Sequence, residues 1–233
     1  MDSHLVSHGR DVWAGGDDLT GENNGLIHPW IQLGMSNEKY RFFGGAWLDI
    51  NNNSNDGVSG DIQEVDLWVG LNRNLGKFNL GLNLQRWNYG DEVEIVLDSS
   101  VTFNDAGFLF KSLALNPGLT LHSQLSSDIF KEKNVLVARI KPGFALSKRK
   151  TRPVWLSVPV ALGFQEAGYK NRSSGHSYSS LGADLYIPVK LSKLKGDWSI
   201  NIALTWFDTD PTLIPGNLEE SFITGKVGIL YFF

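Results

Sequence analysis

The sequence predicts an all-β chain, a transmembrane antiparallel up-and-down β-barrel of about twelve strands, with about ten strands as the structural alternative. Three observations predict it. Apolar residues recur at every second position along most of the chain, the period of a strand with two unlike faces. Mean hydropathy is only −0.16, and no window holds the ~18 consecutive apolar residues of a membrane helix; a spanning barrel keeps such an average because its hydrophobicity lies in alternation. Links between the strands alternate short and long, as the two rims of such a barrel do.

The elements follow in order. Weak alternation marks strands at 3–13, 26–35 and 39–50. Residues 62–72 are clearer: Val65, Leu67, Val69 and Leu71 take one face, and Glu64, Asp66, Trp68, Gly70 and Asn72 the other. Residues 78–85 repeat the pattern, and the link Arg73–Lys77, with Gly76, makes the two a hairpin. Weaker strands fit at 93–103, 118–126 and 134–146. Strong ones fit at 154–165, 180–191 and 198–206, and a clear one closes the chain at 222–233. Only Phe108–Leu115 shows any helical period. The links at 36–38, 73–77, 147–153 and 192–197 are short; those at 14–25, 51–61, 166–177 and 208–221 are longer and rich in Gly, Asn, Asp and Ser. The links at 88–92 and 104–117 depart from this rule, the second being long where a short turn is expected. All 233 residues form one domain on this reading.

Composition narrows the function. With no Cys, 42% hydrophobic and 20% charged residues, the chain is neither disordered nor a disulfide scaffold, and Cys-based metal or thiol chemistry is excluded. A net charge of −4, from 21 basic and 25 acidic residues, argues against a nucleic-acid partner. Charge follows loop parity: acids such as Asp17, Asp18, Glu22, Asp208, Asp210, Glu219 and Glu220 gather on the long-loop side, and bases such as Lys77, Lys148, Arg149, Lys150 and Lys193 on the turn side. Aromatic girdles are expected at Phe78, Trp198, Tyr231 and Phe233 on the turn side, and at Trp87, Tyr89, Phe164, Tyr178 and Trp206 on the loop side.

The last residues carry the sharpest signal. Val227, Ile229, Tyr231 and Phe233 share one face and the chain stops at an aromatic. This terminus resembles the C-terminal signal by which bacterial outer-membrane barrels are recognised for assembly. The chain as a whole is similar to a family of uncharacterised proteobacterial outer-membrane β-barrels. The likeness lies in Val6-Ser7-His8-Gly9-Arg10, in Pro29 after a Gly/Asp/Asn-rich loop, in Glu64-Val65-Asp66-Leu67, in Asn116-Pro117-Gly118-Leu119 and in Leu156-Ser157-Val158-Pro159. The resemblance implies the outer membrane, its lipids and lipopolysaccharide, and the barrel-assembly machinery as surroundings and partners, with a signal peptide already removed and Met1 added for expression. It implies no activity.

If the apolar faces meet lipid, the inward set includes Arg41, Asp49, Glu64, Asp66, Glu94, Asp98, Arg139, Lys141, Asp184, Lys190 and Lys226. Opposed charges in a narrow lumen orient small polar solutes, the chemistry of a passive porin-like channel. The same charges can instead pair off in a filled interior that stiffens a plugged structural or binding barrel. An outer-membrane lipid hydrolase is the remaining class: it needs a Ser beside a His, whereas His122 and Ser123 point to opposite faces, His28 faces inward, and His176 with Ser177 falls in a loop. Catalysis is therefore not expected, nor a cofactor. The acidic rim has ligands for Ca²⁺ or Mg²⁺ but no ordered loop motif, so no metal site is expected. A soluble all-β carbohydrate-binding domain is the rival outside the membrane.

Overall fold

The turn at Gly76 sets the pattern for the whole chain. Leu75 pairs with Phe78, leaving Gly76 and Lys77 as a two-residue hairpin whose first residue has φ 60°, a conformation that glycine adopts without a Cβ clash. The five-residue link expected from the sequence thus tightens to two, as β3 lengthens into it to Leu75 while β4 begins at Phe78 as expected. The link on the opposite rim, at Gly90 and Asp91, is built alike, with Gly90 at φ 65° and Tyr89 paired with Glu92.

The computed structural model describes residues 27–50, 58–108, 110, 113–128, 132–147, 152–168, 172–191, 195–213 and 220–232. Among these the strands are β1 (Trp30–Ser36), β2 (Tyr40–Ile50), β3 (Ile62–Leu75), β4 (Phe78–Tyr89), β5 (Glu92–Phe103), β6 (Gly118–Ser127), β7 (Asn134–Ile140), β8 (Gly143–Ala145), β9 (Trp155–Ser157), β10 (Val160–Gln165), β11 (Gly175–Val189), β12 (Asp197–Thr209) and β13 (Ser221–Phe232). All belong to one antiparallel sheet in which each strand pairs with its predecessor, except around β8 and β9. There β11 is long enough to pair with β10 in one half and β9 in the other.

Proline accounts for that exception and for a strand count of thirteen. Pro142 separates β7 from β8, and Pro159 separates β9 from β10. Without an N–H, neither donates to a ladder, yet Val158 N–H still donates to Pro142 C=O at 2.9 Å and Gly182 N–H to Pro159 C=O at 2.8 Å. Each pair of segments is therefore one path across the sheet, interrupted once. Counted as paths, the described residues hold eleven of the twelve expected strands; the twelfth, 3–13, lies outside the described residues. The sheet is not closed: β1 and β13 pair with β2 and β12 respectively and not with each other.

Side-chain partition is inverted relative to a soluble domain. Among the described residues thirty-four large hydrophobic side chains are exposed and nine are buried. Leu67 and Val69 on β3, Leu80, Leu82 and Leu84 on β4, Leu181 on β11, and Ile223, Val227 and Ile229 on β13 are all exposed. Their strand neighbours Glu64, Asp66, Gln85, Ser199 and Thr224 are buried. In water each exposed Leu or Ile forgoes about 1.5–3 kcal/mol of burial. The polar face is the inner one because the sheet curls. A single cavity of about 470 Å³ is lined by residues of β2 to β7, β10 and β11.

Glycine makes room on that inner face. A Cβ at Gly45 would overlap the Trp68 ring, one at Gly70 the Phe43 ring and one at Gly163 the Tyr178 ring. In each case the aromatic is the direct cross-strand partner, so three rings lie flat over three glycines.

The long link 104–117 is organised by one carboxylate. Asp105 is fully buried, and its oxygens accept the N–H of Leu115 at 3.1 Å and of Asn116 at 2.8 Å. Burial raises its pKa, but these bonds, helped by the Lys77 charge, outweigh it and hold the group below the ordinary 3.8.

Candidate functional site

The interior between the strands divides into two halves. Trp87, Val96, Val135, Val137, Tyr178 and Phe207, from β4, β5, β7, β11 and β12, form one buried apolar cluster. They stand near the strand ends that meet the long loops, with Tyr178 and Phe207 rings 6.3 Å apart and Phe207 stacked on Phe222 at 5.3 Å. Trp87 and Tyr178 thus fill the interior instead of joining the loop-side girdle. On the turn side, Trp198 and Tyr231 pair at 4.6 Å, and Phe78 and Phe103 at 5.0 Å.

Four of the expected luminal acids flank this cluster. Asp49, Glu64, Asp66 and Glu94 are all buried, and Asp49 stands opposite Glu64 in the β2–β3 register. Ions so enclosed need partners, because desolvation costs several kcal/mol each. His28 Nε2 lies 3.2 Å from Asp49, and the His28 ring packs 4.8 Å from Trp47. Glu94 accepts bonds from Gln124 at 3.2 Å and Ser127 at 2.9 Å.

The bases lie toward the turn side. Arg41, one residue into β2, stands over the Phe43 ring at 5.7 Å. Arg139, next to the end of β7, lines the 470 Å³ cavity with Asp98, His122, Asn72 and Asn83. Inside it His122 Nδ1 meets Asp98 at 2.5 Å, and Gln85 donates to the other Asp98 oxygen at 2.6 Å. Lys141 pairs with Asp184 at 3.4 Å, and Asn201 donates to the same carboxylate. Lys141, Asp184, Arg41 and Lys226 all line a larger cavity of about 1520 Å³ between β1 and β13. Lys190 follows the end of β11 and is exposed. Acids and bases therefore separate along the strands more than they oppose one another across a single ring.

Of the terminal residues, Val227, Ile229 and Tyr231 are exposed together on the outer face of β13; Phe233 lies outside the described residues. Among the described residues no three His, Asp or Glu side chains are grouped to hold a metal ion. No family model, curated protein or solved structure matches the chain.

Sequence reasoning missed one pair of reactive side chains. It left His176 in a loop, but β11 begins at Gly175, and a bulge in its register with β10 skips Ser177: Gly163 faces Tyr178 while Phe164 faces His176. His176 and Ser179 consequently share the outer face, with Ser179 Oγ 3.1 Å from His176 Nε2.

Proposed function

We propose that the chain is a bacterial outer-membrane β-barrel whose interior is filled at the loop end and opens, on the turn side, into a charged vestibule for small polar solutes. The observation that carries the membrane assignment is the inverted partition, with thirty-four large hydrophobic side chains outside and nine inside among the described residues. A soluble sandwich or sugar-binding domain buries its apolar face; this sheet offers that face to its surroundings, as lipid requires. The alternating C-terminal residues, which resemble an assembly signal, support the same compartment.

Strand direction supports closure by one further strand. With eleven paths, β1 and β13 both run from the loop rim to the turn rim, so they are parallel and cannot complete an antiparallel ladder with each other. One further strand running the other way would satisfy both edges. The cavity between β1 and β13 is the space it would border.

Between a conducting and a filled lumen, the buried cluster around Trp87, Tyr178 and Phe207 favours the filled state. The experiment is single-channel recording after refolding into a planar bilayer. Verified insertion with no conductance steps is the expected result. Discrete, reproducible steps would overturn the filled interior and make Arg139, Lys141, Asp66 and Asp184 selectivity positions.

A further inference from the structure

We propose that Ser179 and His176 form a nucleophile–base pair on the outer wall of the barrel and cleave the ester bonds of membrane lipids. The inference rests on the membrane reading above and adds an activity that the filled lumen does not supply.

The geometry begins with the β11 bulge, which brings both side chains to the apolar side of the sheet. Ser179 Oγ and His176 Nε2 are 3.1 Å apart, within reach for proton transfer. In the tautomer with its proton on Nδ1, Nε2 accepts the hydroxyl proton. The Phe164 ring packs against the imidazole at 5.4 Å between centroids, limiting its rotation. Two carboxylates stand close by. Asp208 is the direct cross-strand neighbour of Ser179 and is exposed on the same face. Asp210 is tied to the bulge through its N–H, which donates to Ser177 C=O at 2.9 Å. Hydrogen bonds from the Thr212 side chain and N–H hold the Asp210 carboxyl below its ordinary value.

Height on the wall identifies the substrate class. Toward the turn side of the pair, the outer face is apolar: Leu162, Leu181, Leu204 and Trp206 are exposed around it. At the level of the pair it turns polar, with exposed Asp208 and Ser221, the latter accepting the Trp206 Nε1–H at 2.7 Å. The pair thus sits where acyl chains would give way to ester carbonyls and headgroups.

The reaction balances within these groups. Oγ bonds to the ester carbonyl carbon as its proton passes to Nε2. The carbon–alkoxide bond breaks, and the proton on Nε2 goes to the leaving oxygen, leaving acyl-Ser179. Water then attacks the acyl carbon and gives a proton to Nε2; the acyl carbon–Oγ bond breaks, Oγ takes that proton back from Nε2, and the fatty acid leaves.

The test uses the full chain in detergent micelles and in phosphatidylglycerol–phosphatidylethanolamine vesicles. In micelles a fluorophosphonate probe is expected to form an adduct on Ser179, mapped by mass spectrometry. In vesicles fatty acid release is expected, abolished in Ser179→Ala, reduced at least about 100-fold in His176→Asn, and unchanged in Ser123→Ala. A heat-dependent gel shift in every variant verifies the fold. Absence of adduct in the folded wild type, or release that survives in Ser179→Ala, overturns the proposal. An adduct in micelles from a chain that does not enter vesicles overturns the lipid substrate and the membrane reading while preserving the reactive pair.

Discussion

Asp105 shows how one residue stabilises an irregular link. Buried in the 104–117 segment, it satisfies the N–H groups of Leu115 and Asn116, the latter in a left-handed conformation at φ 49°. Its folded pKa is depressed, so the stability it contributes is present above the ordinary carboxylate value of 3.8 and is lost as pH falls through the folded value. Asp105→Asn should flatten the acid side of the stability profile, read as urea midpoints in micelles at a series of pH values; a slope equal to that of the wild type would remove Asp105 from the account. Gly163 makes the complementary case for volume. A side chain there meets the Tyr178 ring at once, so Gly163→Val should destabilise by about 1–3 kcal/mol, and Tyr178→Ala in the same chain should recover part of the loss.

At the scale of elements, legibility followed alternation. Strands such as 62–72 and 198–206 were plain because their apolar residues hold strict register, and β3 and β12 contain them entire. Prolines 142 and 159 cut paths that alternation alone reads as continuous. The bulge opposite Gly163 was not legible, since its signal is a mismatch between two strands and not a property of either; it hid the Ser179–His176 pair and placed two buried residues, Ser177 and Tyr178, in succession. Trp87 and Tyr178 read as girdle aromatics because their place near a rim said nothing of the face they take. The face taken by Asp49, Glu64, Asp66 and Glu94, all buried, followed from alternation, but the separation of acids from bases along the strands did not, since period two fixes the face and leaves axial neighbours on other strands open. Closure belongs to this scale too. A cysteine pair placed at Gly34 of β1 and Gly228 of β13 should stay unlinked on mild oxidation, read by mass spectrometry; cross-linking of β1 directly to β13 would contradict a further strand between them.

For the whole molecule, the central claim is that the exposed apolar face meets lipid and the buried polar face surrounds an interior. Both the filled lumen and the wall-mounted pair depend on it, because each takes its meaning from which face is outside. The absence of cysteine makes single-site labelling clean. Spin labels placed one at a time along Leu80–Gln85 of β4, and again along Gly225–Ile229 of β13, report collision with oxygen, which concentrates in lipid, and with a water-soluble nickel chelate. The account predicts that oxygen access peaks at Leu80, Leu82, Leu84, Val227 and Ile229, with the chelate excluded there, and falls at each intervening residue. Chelate access at those five positions in the vesicle-bound protein, or a period other than two, would contradict it.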